Sequence, residues 1–321
     1  MPPSFTVVRD QGSGLDALRG AVVALGNFDG VHRGHLQVIG TARARARALQ
    51  RPAAALTFEP HPRKFFRPNE PLFRLTDETN KLRLFAAAGL DGAVVMTFDA
   101  ALASLTAEEF VSRVLVERLA VSGAVVGFNF HFGKGRTGSP GFLTAAGAQH
   151  GFAVEVVPVF TDRGRPVSSG PIREALVAGD VGTAAELLGH PWFVTATVIQ
   201  GDKRGRALGF PTANLVLDPA CRLRHGIYAV RVGIDGKRHD GVASFGRRPM
   251  FATPAPLLEV FLFDFAGDLY GRSIDVAFIA WIREEKNFAG VDELVAQMTQ
   301  DSAQARAALA AAPDAFPPIG A

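Results

Sequence analysis

Two histidines three residues apart, His32 and His35, sit in the string Gly26-Asn-Phe-Asp-Gly-Val-His-Arg-Gly-His35. On the first turn of a helix that spacing puts both imidazoles on one side. There they can hydrogen-bond phosphate oxygens and offset negative charge that develops during phosphate transfer. Gly30 and Gly34 permit a tight turn and close approach of a ligand, and the free N–H groups of a helix start suit an anion. A second string, Gly201-Asp-Lys-Arg-Gly-Arg-Ala-Leu-Gly-Phe-Pro-Thr-Ala-Asn214, sets glycines at 201, 205 and 209 among Lys203, Arg204 and Arg206. Its backbone N–H groups and positive charge could wrap phosphates. In an extended segment Thr212 and Asn214 face one side and offer two short oxygen ligands to Mg²⁺ or phosphate. Glu259 stands among apolar neighbours in Leu257-Leu-Glu-Val-Phe-Leu-Phe263. A carboxylate there costs stability unless it is paired or used, which makes it a candidate proton acceptor. The plainer alternatives are cap residues with surface histidines, a basic turn, and a Glu paired to Arg247 or Arg248.

Positioning such groups needs rigid elements. Short apolar runs at 21–25, 53–58, 93–97, 124–128 and 153–157 read as largely buried strands. They alternate with helical patterns over 34–50, 76–88, 107–119 and 139–150, which predicts a doubly wound parallel sheet with ligands at the C-terminal strand ends near a topological switch point. The His32 string would join the first strand to the first helix. After about residue 185 the pattern becomes strands with turns: 193–199, 226–233, 241–245, 257–263 and 273–282, with a hairpin at Asp235-Gly236. This predicts an antiparallel barrel or sandwich, closed by a helix carrying Val291, Leu294, Val295 and Met298. The expected domains are 1–185 and 186–321, with hinges near Gly179-Asp180 and Gly189-His190-Pro191.

The chain has 321 residues, 34 Lys and Arg against 31 Asp and Glu, and a single cysteine, Cys221. A surplus of +3 does not demand nucleic acid. One cysteine excludes an intrachain disulfide and a multi-cysteine zinc site. The absence of a signal-like start or a membrane-length apolar run predicts a cytoplasmic protein with no membrane partner. Gly133-Lys-Gly-Arg-Thr-Gly138, with Glu155 beyond it, fits the G-x-G-x-x-G of nicotinamide-dependent oxidoreductases. It follows the fourth expected strand rather than the first, so a basic loop carrying Lys134 and Arg136 is the preferred reading. Arg43, Arg45, Arg47 and Arg51 do not share one helix face and read as solvated.

Taken together, the strings resemble the bacterial bifunctional riboflavin kinase/FMN adenylyltransferases. The first half is similar to their FAD synthetase branch of the HxGH nucleotidyltransferases, the second to riboflavin kinases. The resemblance implies a nucleotidyltransferase domain followed by a kinase β-barrel, making FMN from riboflavin and then FAD from FMN, each with ATP. It implies catalytic roles for Glu259, His32, His35 and Arg173. Nucleotide contacts would come from Gly26, Asn27, Phe28, Asp29, Gly34, Ser168, Ser169 and Arg173, then Gly201, Lys203, Gly205, Gly209, Pro211, Thr212 and Asn214. Flavin contacts would come from Phe58, His61, Pro62 and Asn129. Mg²⁺ would accompany ATP on Thr212 and Asn214, with FMN and FAD as substrate and product rather than resident groups. Self-association, if any, is expected to be weak. Gly170, His131, Ser244, Met250 and Phe261 depart from the family's usual residues. The competing expectations are that only the kinase half works, or that the chain binds flavin without turnover.

Overall fold

Runs of four to seven apolar residues have no polar face to offer water, so they settle inside a sheet covered by helices. The computed structural model describes residues 5–10, 15–201, 205, 208–247 and 256–319. In it, β1 (Thr6–Arg9), β2 (Val22–Leu25), β3 (Ala53–Glu59), β4 (Gly92–Thr97), β5 (Gly123–Gly127) and β6 (Ala153–Val157) form one parallel sheet. The order is β1-β4-β3-β2-β5-β6. The chain winds outward from β2 to β3 and β4, then returns to lay β5 on the other side of β2, which creates the switch point between β2 and β5. Its strands are joined first by α1 (Arg33–Leu49), α2 (Pro62–Phe66), α3 (Glu78–Ala87) and α4 (Ala100–Ser104).

Two expectations change here. The helix predicted over 107–119 is α-helical only over α5 (Ala107–Glu109) and continues as a π-helix over Phe110–Arg118. Its buried residues, Phe110, Val111, Val114 and Leu115, recur every four positions, a spacing that does not separate the two helix types. β6 is an edge strand with Glu155 and Val156 exposed, not a buried one. Next come α6 (Pro140–His150), β7 (Thr161–Asp162) and β8 (Arg165–Pro166).

The chain divides into two compact units. One runs up to Leu72 and covers Thr76–Ser168; the other takes Phe73–Leu75 and everything from Ser169 on. The 185/186 division falls inside α8 (Val181–Leu188), which follows α7 (Ser169–Ala178). Ile172, Leu176, Val181, Ala184 and Leu188 of these helices share a core with Trp192, Tyr228 and Phe278 of the barrel. The two expected hinges are helix ends: Asp180 caps α8 at its N-terminus and Gly189 closes it in a left-handed conformation. Trp192 Nε1 donates to Leu75 O at 2.9 Å, which holds the short 73–75 strap within this second unit.

The second unit is a closed six-stranded antiparallel barrel of β9 (Phe193–Ile199), β10 (Thr212–Val216), β11 (Gly226–Ile234), β12 (Lys237–Arg247), β13 (Pro256–Leu262) and β14 (Ser273–Arg283). Asp235 and Gly236, both with positive φ, make the two-residue hairpin between β11 and β12. Tyr228, Val230 and Val232 fill the barrel interior, yet β11 is buried on both faces. The cause is α9 (Val291–Ala310), which lays Ala305 and Leu309 on Ala229 and Phe263 outside the barrel. Arg231 fixes the end of α9. Its side chain is 5% exposed, pairs with Asp240 at 2.8 Å, and donates to the carbonyls of Leu309, Ala312, Pro313 and Ala315. Arg231→Met leaves those acceptors unpaired and is expected to lower stability by about 3 kcal/mol, read as a lower urea midpoint at unchanged slope.

Candidate active sites

The helix start after β2 is built from its own side chains. His32 is the N-cap of α1, and its Nδ1 accepts the His35 backbone N–H at 3.3 Å. Because Nδ1 accepts, the neutral His32 ring carries its proton on Nε2. The His35 ring stacks on His32 with centroids 3.6 Å apart and meets the edge of Phe28 at 5.2 Å. Phe28 is buried and backed by Phe85 of α3. It therefore shapes the turn from below. Asp29, also buried, accepts from Thr76 N at 3.1 Å while Gly30 N donates to Thr76 Oγ1 at 3.0 Å, so the Gly26–Gly30 loop is pinned from α3's leading segment. At Gly34 a Cβ would stand 3.3 Å from the His32 ring and 3.4 Å from Val167 O, so a side chain there would make its neighbours give by a few tenths of an ångström.

Burial, then the neighbouring His32 and Lys81, push the His35 pKa well below the ordinary imidazole value of 6.5. The group is a neutral imidazole near pH 7, and its Nδ1 is buried with no hydrogen-bond partner among the described residues. A depressed histidine pKa adds stability that is present above 6.5 and lost as pH falls through the folded value, because the unfolded chain binds the proton first. His190, buried in the second unit, is shifted the same way. Melting temperature should therefore drop between about pH 7 and pH 5. A shallower slope in His35→Gln isolates the first unit's share.

At the neighbouring strand end, β3 delivers Phe58, and His61 caps α2 by accepting Arg63 N at 3.1 Å, with Pro62 as its first residue. Phe58, Phe65, Phe66 and Phe98 form an edge-to-face cluster, and Phe66 is 64% exposed. Asn129 lies exposed in the turn after β5, its carbonyl held by His131. The Gly133–Gly138 segment is closed by a paired bridge between Phe132 and Gly138, leaving Lys134 and Arg136 exposed. The segment follows β5 rather than the first strand and holds only a 3-10 turn over Lys134–Arg136, with a longer helix starting beyond it at Pro140, whereas a dinucleotide fingerprint sits on the first strand-to-helix turn. Ser168 ends the first unit. Ser169 and Arg173 belong to α7 of the second, where Arg173 Nε donates to Phe73 O at 2.6 Å.

On the barrel, strand register aligns two predicted groups, Asn214 and Glu259, with Ser244. Asn214 pairs with Glu259 across β10 and β13, and Glu259 with Ser244 across β13 and β12. Leu258, Val260 and Leu262 point into the core, so Glu259 and Phe261 point out with Thr212 and Asn214, as the two-residue period predicts. These residues line a cavity of about 440 Å³. Its far wall is Leu294, Met298, Asp301 and Ser302 of α9, with Arg283, Lys286 and Phe288. The apolar stripe expected to seal α9 thus faces the cavity in its first half, and Val291 is 57% exposed. Arg283 grips Asp301 through two bonds of 2.7 and 2.6 Å.

Gly201 packs against the Asn214 amide so closely that a Cβ would stand 2.4 Å from Nδ2. Asn214 Nδ2 donates to Thr212 O at 3.3 Å. A glycine cradle around two hard oxygens fits Mg²⁺. Gly201→Val should abolish nucleotide binding at this site while the barrel still melts cooperatively, a contrast that titration calorimetry and melting together would read. Gly205 O accepts from Leu208 N at 3.0 Å and Phe210 N at 2.8 Å, and Gly209 takes a positive φ. Pro211 lines a smaller cleft with Thr212 and Tyr270. Lys203, Arg204, Arg206, Arg248 and Met250 lie outside the described residues, as does the Arg247 side chain.

A family model described as FAD synthetase matches residues 15–171, and one described as riboflavin kinase matches residues 188–309. The chain is 41% identical over 288 residues to the bifunctional riboflavin kinase/FMN adenylyltransferase of Escherichia coli (strain K12), covering 89% of this chain and 92% of that one. The Pseudomonas fluorescens relative is 43% identical, with 90% and 93% covered. The chain belongs to the bifunctional riboflavin kinase/FMN adenylyltransferase family. A solved Streptococcus pneumoniae structure titled a macrolide-efflux protein matches with a TM-score of 0.83 at 30% identity, over 94% of this chain and 98% of that one. Among the described residues no helix is long and apolar enough to cross a membrane.

For this bifunctional family member, several residues beside the candidate sites went unmarked by the motif strings. Lys81 is the clearest. It shares one face of α3 with Leu84 and Phe85, and a lysine on an apolar helical stripe is itself a signal. Arg283 and Asp301 lie 18 residues apart and no local pattern joins them. The oxidoreductase alternative loses its basis, because Gly133–Gly138 falls inside the FAD synthetase match.

Proposed function

We propose that residues 186–321 phosphorylate riboflavin to FMN and that residues 1–185 then adenylylate FMN to FAD, each step using ATP. The observation that carries the kinase assignment is the Asn214–Glu259–Ser244 row across three strands, opening into one cavity. Glu259 takes the proton of riboflavin's terminal ribityl hydroxyl as that oxygen attacks the γ-phosphorus and ADP leaves. Thr212 and Asn214 would hold Mg²⁺, which supplies neutralisation of phosphate charge when bound. Gly201, Gly205 and Gly209 let the backbone approach the triphosphate, with Lys203 adding charge.

In the first half an FMN phosphate oxygen attacks the α-phosphorus of ATP and pyrophosphate departs. No side-chain nucleophile is needed. His32 Nε2–H and His35 stabilise charge on the phosphorus oxygens, the α1 start and the Gly26–Gly30 loop receive the triphosphate, and Ser168, Ser169 and Arg173 contribute further contacts. Phe58, His61, Pro62 and Asn129 hold the flavin, a role that the partly exposed aromatic cluster beside them supports. The dependence on ATP supports a cytoplasmic setting.

Incubation with riboflavin, ATP and Mg²⁺, followed by chromatography, tests the reading. FMN should appear first and FAD after it. FMN without FAD would leave only the kinase half active, and unchanged riboflavin would leave a flavin binder without turnover.

A further inference from the structure

The buried face of α3 carries a cation that no motif in the sequence marks. Lys81 is 2% exposed, and its Nζ lies 2.7 Å from Glu59 Oε1, 3.1 Å from Thr57 Oγ1 and 3.4 Å from Asn27 O. Three N–H groups thus meet three acceptors from two strand ends. Asn27 belongs to the loop that leads into the histidine-capped helix. Thr57 and Glu59 belong to the end of β3 that delivers Phe58 and, directly after it, His61 and Pro62. Thr57 Oγ1 also reaches Asn27 O at 3.3 Å, so the two strand ends are already in contact and the ammonium completes the knot. One turn further along α3, Phe85 supports Phe28, which supports His35.

A lone pair of charges is a poor device for stability at such depth, since desolvation offsets most of the attraction. Hydrophobic residues of similar volume would serve packing as well. What the ammonium offers instead is a fixed distance between the phosphate loop and the flavin strand. We propose that Lys81 is a positioning residue for adenylyl transfer, locking the loop that receives ATP to the strand end that receives FMN. The inference rests on the functional reading above. Its charge also reaches His35, where it adds to burial and His32 in keeping the imidazole neutral.

The test uses the full-length enzyme and FMN as the supplied flavin. Lys81→Met should lower kcat for FAD formation roughly 10- to 100-fold, the scale of a small misplacement of reactants, with KM for ATP within about threefold. Lys81→Met combined with Glu59→Gln removes both charges. It should recover the melting temperature lost in the single variant without recovering kcat. In both variants the His35 imidazole should titrate closer to 6.5 by NMR. A single variant within about twofold of wild-type kcat, or a double variant that regains kcat along with its melting temperature, overturns the positioning role. If Lys81→Met does not fold, the double variant is judged on kcat alone by the same criterion. Wild-type protein that makes no FAD from FMN would instead sink the adenylyltransferase reading, an outcome visible before any variant is made.

Discussion

Glu259→Gln cuts FMN formation from riboflavin by about 10²- to 10⁴-fold, the usual range for losing a positioned proton acceptor, while FAD formation from supplied FMN stays within about twofold. Glutamine keeps the size of the side chain and the β13 backbone pairing to Asn214 and Ser244, so the barrel should keep its melting temperature. The amide cannot accept the ribityl proton. The loss should therefore fall on kcat more than on KM for riboflavin. Glu259→Ala removes the same acceptor and adds a small void, and should be no less inactive. Separating riboflavin, FMN and FAD by chromatography reads both arms from one sample. Equal loss of both activities would mean either that the barrel had unfolded or that one site serves both steps, and a melting curve tells these apart.

Removing His32 and His35 together should reverse the pattern, with FAD formation falling about 10²- to 10³-fold and riboflavin phosphorylation unchanged. The two rings are stacked, and one caps the helix through the other's backbone N–H. They act as a unit, so each single alanine variant should lose almost as much as the pair, and their effects should not multiply. His32→Ala also removes an N-cap, at about 1 kcal/mol. His35 is neutral in the folded protein, so its loss strands no charge. The expected stability change is small beside the change in rate, and steady-state kinetics with ATP and FMN would show it. Retention of FAD formation in the double variant would leave phosphate stabilisation to other donors.

The first half was readable because its chemistry is local. The histidine string, the strand before it and the helix after it lie within a few tens of residues, and each fixes the other by capping and burial. Thr212, Asn214 and Glu259 were readable for a different reason: strand alternation settles their facing before any partner strand is known. What stayed hidden depends on pairing across distance. Arg283 meets Asp301 only because α9 folds back over the barrel. Lys81 meets Asn27 over 54 positions of sequence. The break between the units was obscured because Gly179 and Gly189 are the kind of residue that marks a linker, whereas here they end helices whose apolar faces are committed to the barrel core. β6 misled because Val-rich strands look alike whether they sit at the centre or the edge of a sheet.

The strap at Phe73–Leu75 bears on how the enzyme could be dissected. A fragment ending after Ser168 would take away Arg173 and with it the guanidinium that holds the Phe73 carbonyl, and also the Trp192 indole on Leu75. A fragment ending at 185 would keep Arg173 but stop partway along α8, uncovering Ile172, Leu176 and Val181 to water. Neither cut yields a tidy first half, whereas a piece starting at Ser169 keeps its helices and barrel together and lacks only three residues of its unit. The two activities should thus prove unequal under limited proteolysis, with phosphorylation surviving a clip that silences adenylylation.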